Sequence, residues 1–202
     1  MAMGRPREFD LDEALDRALH AFWRKGYEGT SIAELTEAMG ITRPSLYAAF
    51  GNKEELFRKA LDKYIDGPRG YVRLALAEKT VRDVIDKLLH GTADAVTDPL
   101  CPSGCLAVQG ALTCGDTSQS VKEELMARRA KSEENLHVRF RQAQADNDLS
   151  TDADPADLAR YISIVLQGMA VQAASGASRD DLRKIADMVL KTWPPATRST
   201  AS

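Results

Sequence analysis

Between Asp10 and Gly67 one pattern recurs four times: a side chain able to cap a helix, an apolar run at helical spacing, then a glycine. A stretch punctuated this way folds as a series of short helices packed on one another. Asp10 caps the first predicted helix, roughly 10–25, with Glu13 as its capping-box partner. Leu11, Leu15, Ala18, Leu19 and Phe22 make its apolar face, and Gly26 stops it. Thr30 or Ser31 caps the second, with Glu34 three residues after Ser31; Ile32, Leu35 and Met39 share a face before Gly40. Thr42 caps the third. Pro44 lies in its first turn, where a missing N–H does no harm, and Leu46, Tyr47 and Phe50 precede Gly51. Asn52 opens the fourth, carried by Leu56, Ala60, Leu61 and Tyr64.

Gly67-Pro68-Arg69-Gly70 is the clearest break and divides a unit of residues 1–66 from one of 67–193. Candidate helices follow near 71–78, 81–97, 105–114, 118–145, 155–174 and 179–192, with Asp98 to Gly104 and Asp146 to Asp154 as interruptions. Pro194-Pro195 and the Thr/Ser tail to residue 202 are expected to be disordered. Aromatic residues are only 6% of the chain, whereas Ala and Leu are plentiful, which favours helices over a sandwich of sheets. The fold class is therefore all-α.

No apolar run reaches the roughly 18 residues of a membrane span, and the N-terminus lacks the apolar stretch of a secretion signal, so a cytoplasmic protein with no membrane partner is expected. Three cysteines, an odd number, argue against a secreted disulfide framework. The formal charge of −3 gives no hint of nucleic acid, and residues 1–66 are themselves acidic. Any argument for DNA must rest on where the charges lie.

Their placement is informative. The second and third helices, joined through Met39-Gly40-Ile41, have the layout of a helix-turn-helix, in which the N-terminal residues of the second member face the major groove. No Asp or Glu occurs between Glu37 and Glu54. Within that window Thr42, Arg43, Ser45, Tyr47 and Lys53 can donate to phosphates or base edges. Arg43 is placed to pair with guanine or phosphate. Lys53 stands at a helix start, where backbone N–H groups favour a phosphate. Thr30, Ser31 and Pro44 complete the candidate surface, and Arg5 and Arg7 lie on an arm that can touch the backbone or minor groove.

Residues 29–57 resemble the DNA-binding signature of TetR-family regulators: Gly29-Thr30-Ser31-Ile32-Ala33, then Gly40-Ile41-Thr42, Leu46-Tyr47 with Phe50, and Lys53-Glu54 with Leu56. The resemblance implies an all-helical homodimer of about nine helices: a three-helix helix-turn-helix domain plus a larger helical domain for ligand binding and dimerisation. It implies phosphate contacts for Tyr47 and Lys53, a palindromic double-stranded DNA operator, and release by a small-molecule effector, with repression the usual outcome. Pro44 and Ala48 depart from the glycine and histidine common in that family and bear on which operator is read.

For the larger domain, the closing helices offer a dimer interface from Leu158, Ile162, Val165 and Met169 together with Leu182, Ile185 and Val189. Effector-pocket candidates are Cys105, Gln109, His137, Phe140, Tyr161 and Gln167. The spacing of Cys101, Cys105 and Cys114 fits no zinc ribbon, so neither a metal nor a cofactor is expected. These cysteines are either small buried apolar side chains or a thiol switch sensing oxidants or electrophiles. No catalytic residue is expected. A cysteine-dependent helical enzyme and a helical adaptor that binds no DNA are the alternatives, and the former lacks a histidine at any recognised catalytic spacing.

Overall fold

The computed structural model describes residues 9–113 and 118–193, and every regular element among them is a helix. There are ten: α1 (Leu11–Lys25), α2 (Ile32–Met39), α3 (Arg43–Phe50), α4 (Lys53–Asp66), α5 (Tyr71–Leu76), α6 (Val81–Val96), α7 (Leu106–Thr113), α8 (Gln119–Ala145), α9 (Pro155–Ala174) and α10 (Arg179–Thr192). The resemblance implied about nine, whereas the helical periodicity placed ten, α5 among them. Arg5, Arg7, Cys114 and the tail from Pro194 lie outside the described residues.

The N-terminal caps form where the sequence places them. Asp10 accepts from the Asp12 and Glu13 amides at 2.7 and 3.0 Å, which holds its carboxyl below the usual range. Glu13 does not return the bond. Its carboxylate takes Arg17 one turn on, at 2.5 Å. Ser31 with Glu34, and Asn52 with Glu55, make complete capping boxes. Gly40 closes α2 with φ +67, a left-handed conformation that disfavours side chains.

Helices α1 to α4 bury Phe22, Trp23, Leu35, Leu46, Phe57 and Leu61 together. Phe22 meets Phe57 edge-on, with ring centroids 5.1 Å apart. Lys63 on α4 pairs with Asp12 and Asp16 on α1 at 2.7 and 2.9 Å, closing the outer edge of that contact. In the larger part, α6 packs on α9 and α10, and α8 packs on α9.

Helix α7 joins the two parts, touching α1 and α4 on one side and α8 and α9 on the other. Gly104 just ahead of it has φ +88, and an added Cβ would stand 2.5 Å from the Gln109 amide nitrogen and 3.1 Å from the Ala170 carbonyl. Only glycine fits that turn. A second bridge runs from α8 to α4, where Arg128 meets Asp62 at 2.7 Å.

Candidate DNA-binding face and effector cavity

Helix α3 is held by its apolar side, with Leu46 and Phe50 buried, so its opposite side is open. Lys59 on α4 donates to the Phe50 carbonyl at 3.1 Å and so satisfies one of the carbonyls at the end of α3. At the start, Thr42 accepts from the Ser45 amide at 3.3 Å, and the two hydroxyls lie 2.9 Å apart. Arg43 and Pro44 then occupy the first helical positions, both exposed. Arg43 donates to the Tyr47 hydroxyl at 3.3 Å, and its guanidinium carbon sits 5.6 Å from that ring. Tyr47 is 41% exposed, so its ring flanks the open face rather than the core. This pair, one turn apart, presents a guanidinium and a hydroxyl together.

Lys53 opens α4 beside this face. Its ammonium stands 4.2 Å from the centre of the Tyr27 ring, at the N-terminal end of α4. Ser31 is exposed but used as the α2 cap. Thr30 corrects a sequence expectation. It is fully buried, and its hydroxyl donates to the Gly26 carbonyl at 2.7 Å, so it secures the α1–α2 turn and faces no ligand. The acidic side of the unit is likewise occupied: Glu34 takes Lys25 and the Ser31 amide, which together lower its carboxyl to about 2.

The second site is a cavity between α4–α5, α6, α7, α8 and α9, of about 80 Å³. A wider cleft of about 330 Å³ leads to it between α5 and α8. Leu88, Val96, Leu136 and Leu166 give the cavity an apolar wall, whereas Arg69, Tyr71, Thr92, Arg129, Ser163 and Gln167 contribute polar groups. The Tyr71 and Thr92 hydroxyls are 2.8 Å apart. Burial pushes the Tyr64 and Tyr71 phenols up. Desolvation also opposes the Arg69 charge, but Cys105, Tyr71 and Tyr64 around it hold its pKa above the ordinary value.

Of the pocket candidates read from the sequence, Cys105 and Gln167 line this cavity. The others do not. Phe140 is core, packed 5.7 Å from the Trp193 ring. His137 turns to Glu134 on its own helix, and Tyr161 is 44% exposed on the outer side of α9. Gln109 reaches back to the Ser103 carbonyl at 3.3 Å. The sequence reading missed Arg69, Tyr71, Thr92, Arg129 and Ser163. One signal was present: the apolar stripe of α8 runs Val121, Leu125, then Leu136, Phe140, Ala143, and is broken by Arg128, Arg129 and Ser132 where the helix crosses the cavity. Burial and then Asp98 push the Cys101 thiol up.

The dimer candidates divide similarly. Ile162, Met169, Leu182 and Val189 are buried in the protomer's own core, Leu158 and Val165 are half-buried, and Ile185 is exposed. The outward stripe is Tyr161, Ile164 and Val171 on α9 with Ile185 and Met188 on α10. Gly168 lies within that stripe, and a Cβ added there would meet nothing within 4 Å.

Residues 14–60 match the bacterial regulatory proteins of the tetR family, and residues 77–189 match the tetracyclin repressor-like C-terminal domain. The chain is 38% identical over 193 residues to the HTH-type transcriptional repressor ComR of Escherichia coli, covering 95% of this chain and 92% of that one. It is similar to a cysteine mutant of the TetR family transcriptional regulator CifR complexed with 26-base-pair double-strand operator DNA, with 43% identity and a TM-score of 0.90 over 94% of this chain and 100% of that one. A TetR transcriptional regulator from Rhodococcus sp. RHA1 is 38% identical with a TM-score of 0.64, covering 93% of this chain and 100% of that one.

Proposed function

The chain belongs to the tetR family of bacterial regulatory proteins, and from that membership we propose that it is a transcriptional repressor that binds a palindromic operator as a homodimer and leaves it when a small molecule enters the body cavity. The observation that carries this is the open face of α3. Thr42, Arg43, Ser45 and Tyr47 stand exposed or half-exposed, with Lys53 beside them, in a window free of acidic residues. The CifR mutant, to which the chain is similar, is complexed with operator DNA, which supports the DNA-binding reading.

In this reading Arg43 reads a base edge, while Tyr47 and Lys53 hold phosphates and set the docking register. Two copies joined through the outward stripe of α9 and α10 place their α3 helices in successive major grooves, so half-site centres fall about 34–36 Å apart or at a multiple of that. The stripe supports this role because it is apolar and uncovered in the single chain. An effector in the cavity touches Tyr64 of α4, and α4 carries Lys53 at its other end. A ligand that prefers one placement of α4 shifts the recognition helices by that preference; a coupling of about 1–3 kcal/mol changes operator affinity roughly 5–150-fold.

Enrichment of genomic DNA fragments on the purified protein, with a salt titration, tests the proposal. The expected result is one palindromic site whose affinity falls steeply with salt. Recovery of no common site, with little salt dependence, would overturn it.

A further inference from the structure

The cavity has a marked charge character. Arg69 and Arg129 both stand at the junction of the inner cavity and the outer cleft. Among the described residues no Asp or Glu lines the inner cavity. Neighbouring Arg128 shows the contrast, since Asp62 and Glu124 hold it at 2.7 and 2.6 Å. Among the described residues no carboxylate lies within ion-pair distance of Arg69 or Arg129, although Asp66 lines the outer cleft. Arg69 meets phenols and a thiol instead: Tyr64, Tyr71 and Cys105 surround it.

A guanidinium enclosed among neutral groups carries an unmet demand for a counter-charge, and a carboxylate meets it with two parallel hydrogen bonds. Beyond the arginines the inner wall carries Leu88, Val96, Leu136 and Leu166, interspersed with the polar groups of Tyr71, Thr92, Ser163 and Gln167. The inner volume of about 80 Å³ is small beside the ~150 Å³ apolar cavity that accepts a benzene, so only a short chain fits there. Arg73 adds a further positive charge at the cleft mouth, where approaching anions are drawn in.

We propose that the effector is a small organic monoanion, a carboxylate on a short apolar chain, held with its charge between Arg69 and Arg129 and its chain against Leu88, Val96, Leu136 and Leu166. This rests on the regulator reading, in which the cavity is the effector site. It also gives the signal a route. The Arg69 amide donates to the Tyr64 carbonyl at 3.0 Å, at the C-terminal end of α4. Drawing Arg69 onto a carboxylate therefore acts on the helix whose N-terminus carries Lys53.

The test uses the full-length protein with sodium propionate, butyrate and valerate against the matching amides, which share shape but not charge. Thermal melts read binding without DNA, and operator release reads the consequence. At millimolar concentration the carboxylates raise the melting temperature and weaken operator binding by about tenfold or more, while the amides do neither. Arg69→Gln loses the carboxylate-dependent shift, and its ligand-free melt reports whether it folds; Arg129→Gln provides the same reading if it does not. Equal responses to amides and acids, no response to any of the acids, or undiminished responses in both variants would overturn the inference. Wild-type protein that binds no operator yet shows the carboxylate shift would instead refute the regulator reading and leave the anion site standing.

Discussion

The indole N–H of Trp23 donates to the Gly104 carbonyl at 3.3 Å, across 81 residues of chain. Trp23 belongs to α1 of the DNA-binding unit, and Gly104 to the turn that enters α7 beside the cavity. The same indole meets the Tyr64 ring edge-on, with centroids 4.6 Å apart, and Tyr64 lines the cavity wall. The DNA-binding unit and the cavity thus share one buried aromatic contact.

Trp23→Phe keeps much of the ring and removes the donor, leaving the Gly104 carbonyl short of a partner. A loss of about 1 kcal/mol is expected, read as a lower denaturant midpoint with unchanged slope. An unchanged midpoint would show that the hydrogen bond contributes nothing.

On the recognition face, Lys53→Ala weakens all DNA sites alike and reduces the magnitude of the log–log salt slope by about 1, because it deletes one phosphate contact. Arg43→Ala relaxes base preference, with a loss of about 1–3 kcal/mol at the cognate site. Binding measured on the operator and on scrambled DNA separates the two roles, and a change of sequence choice in Lys53→Ala would reverse the assignment.

Gly168 separates folding from dimerisation. Its surroundings in the protomer are open, so Gly168→Leu is compatible with the fold and removes a helix glycine that costs about 1 kcal/mol relative to alanine. Across a dimer interface the same side chain blocks close approach of the α9 helices. Light scattering is expected to report monomers that melt as folded proteins and bind operator far more weakly. A dimer that persists would move the interface elsewhere.

Glu34 gives the N-terminal unit an acid sensitivity. Lys25 first, then the Ser31 amide, lower its carboxyl from the ordinary 4.5 to about 2. A depressed carboxylate contributes stability above the unfolded value and loses it as pH falls through the folded one. The wild-type protein should therefore lose stability between about pH 4.5 and about 2 more steeply than Glu34→Gln. Parallel acid titrations followed by helix content would show the difference, and superimposable curves would exclude Glu34 as a contributor.

Much of this was legible in the sequence where the controlling physics is local. Asp10, Ser31, Thr42 and Asn52 act on amides two or three residues away, so their caps and the glycines closing α1 to α3 could be read directly. Even there, Glu13 had two partners within reach, and Arg17 took it from the cap. Thr30 looked like a second capping candidate, but the turn at Gly26 drew its hydroxyl inward.

By itself, then, the sequence determined the series of capped helices, the acid-free recognition face and the break after Asp66. Tertiary packing decided which residues each apolar helix turned inward. In α9 and α10 hydrophobic residues occupy more than one face, and period alone cannot rank faces of similar character. Contact with α6 and α8 buried Ile162, Met169, Leu182 and Val189 and left Ile164 and Met188 outside. The inner cavity is likewise a product of packing. Arg69 and Arg129 are 60 positions apart in the chain, and only the crossing of α8 over the α4–α5 connection brings their charges to the same void.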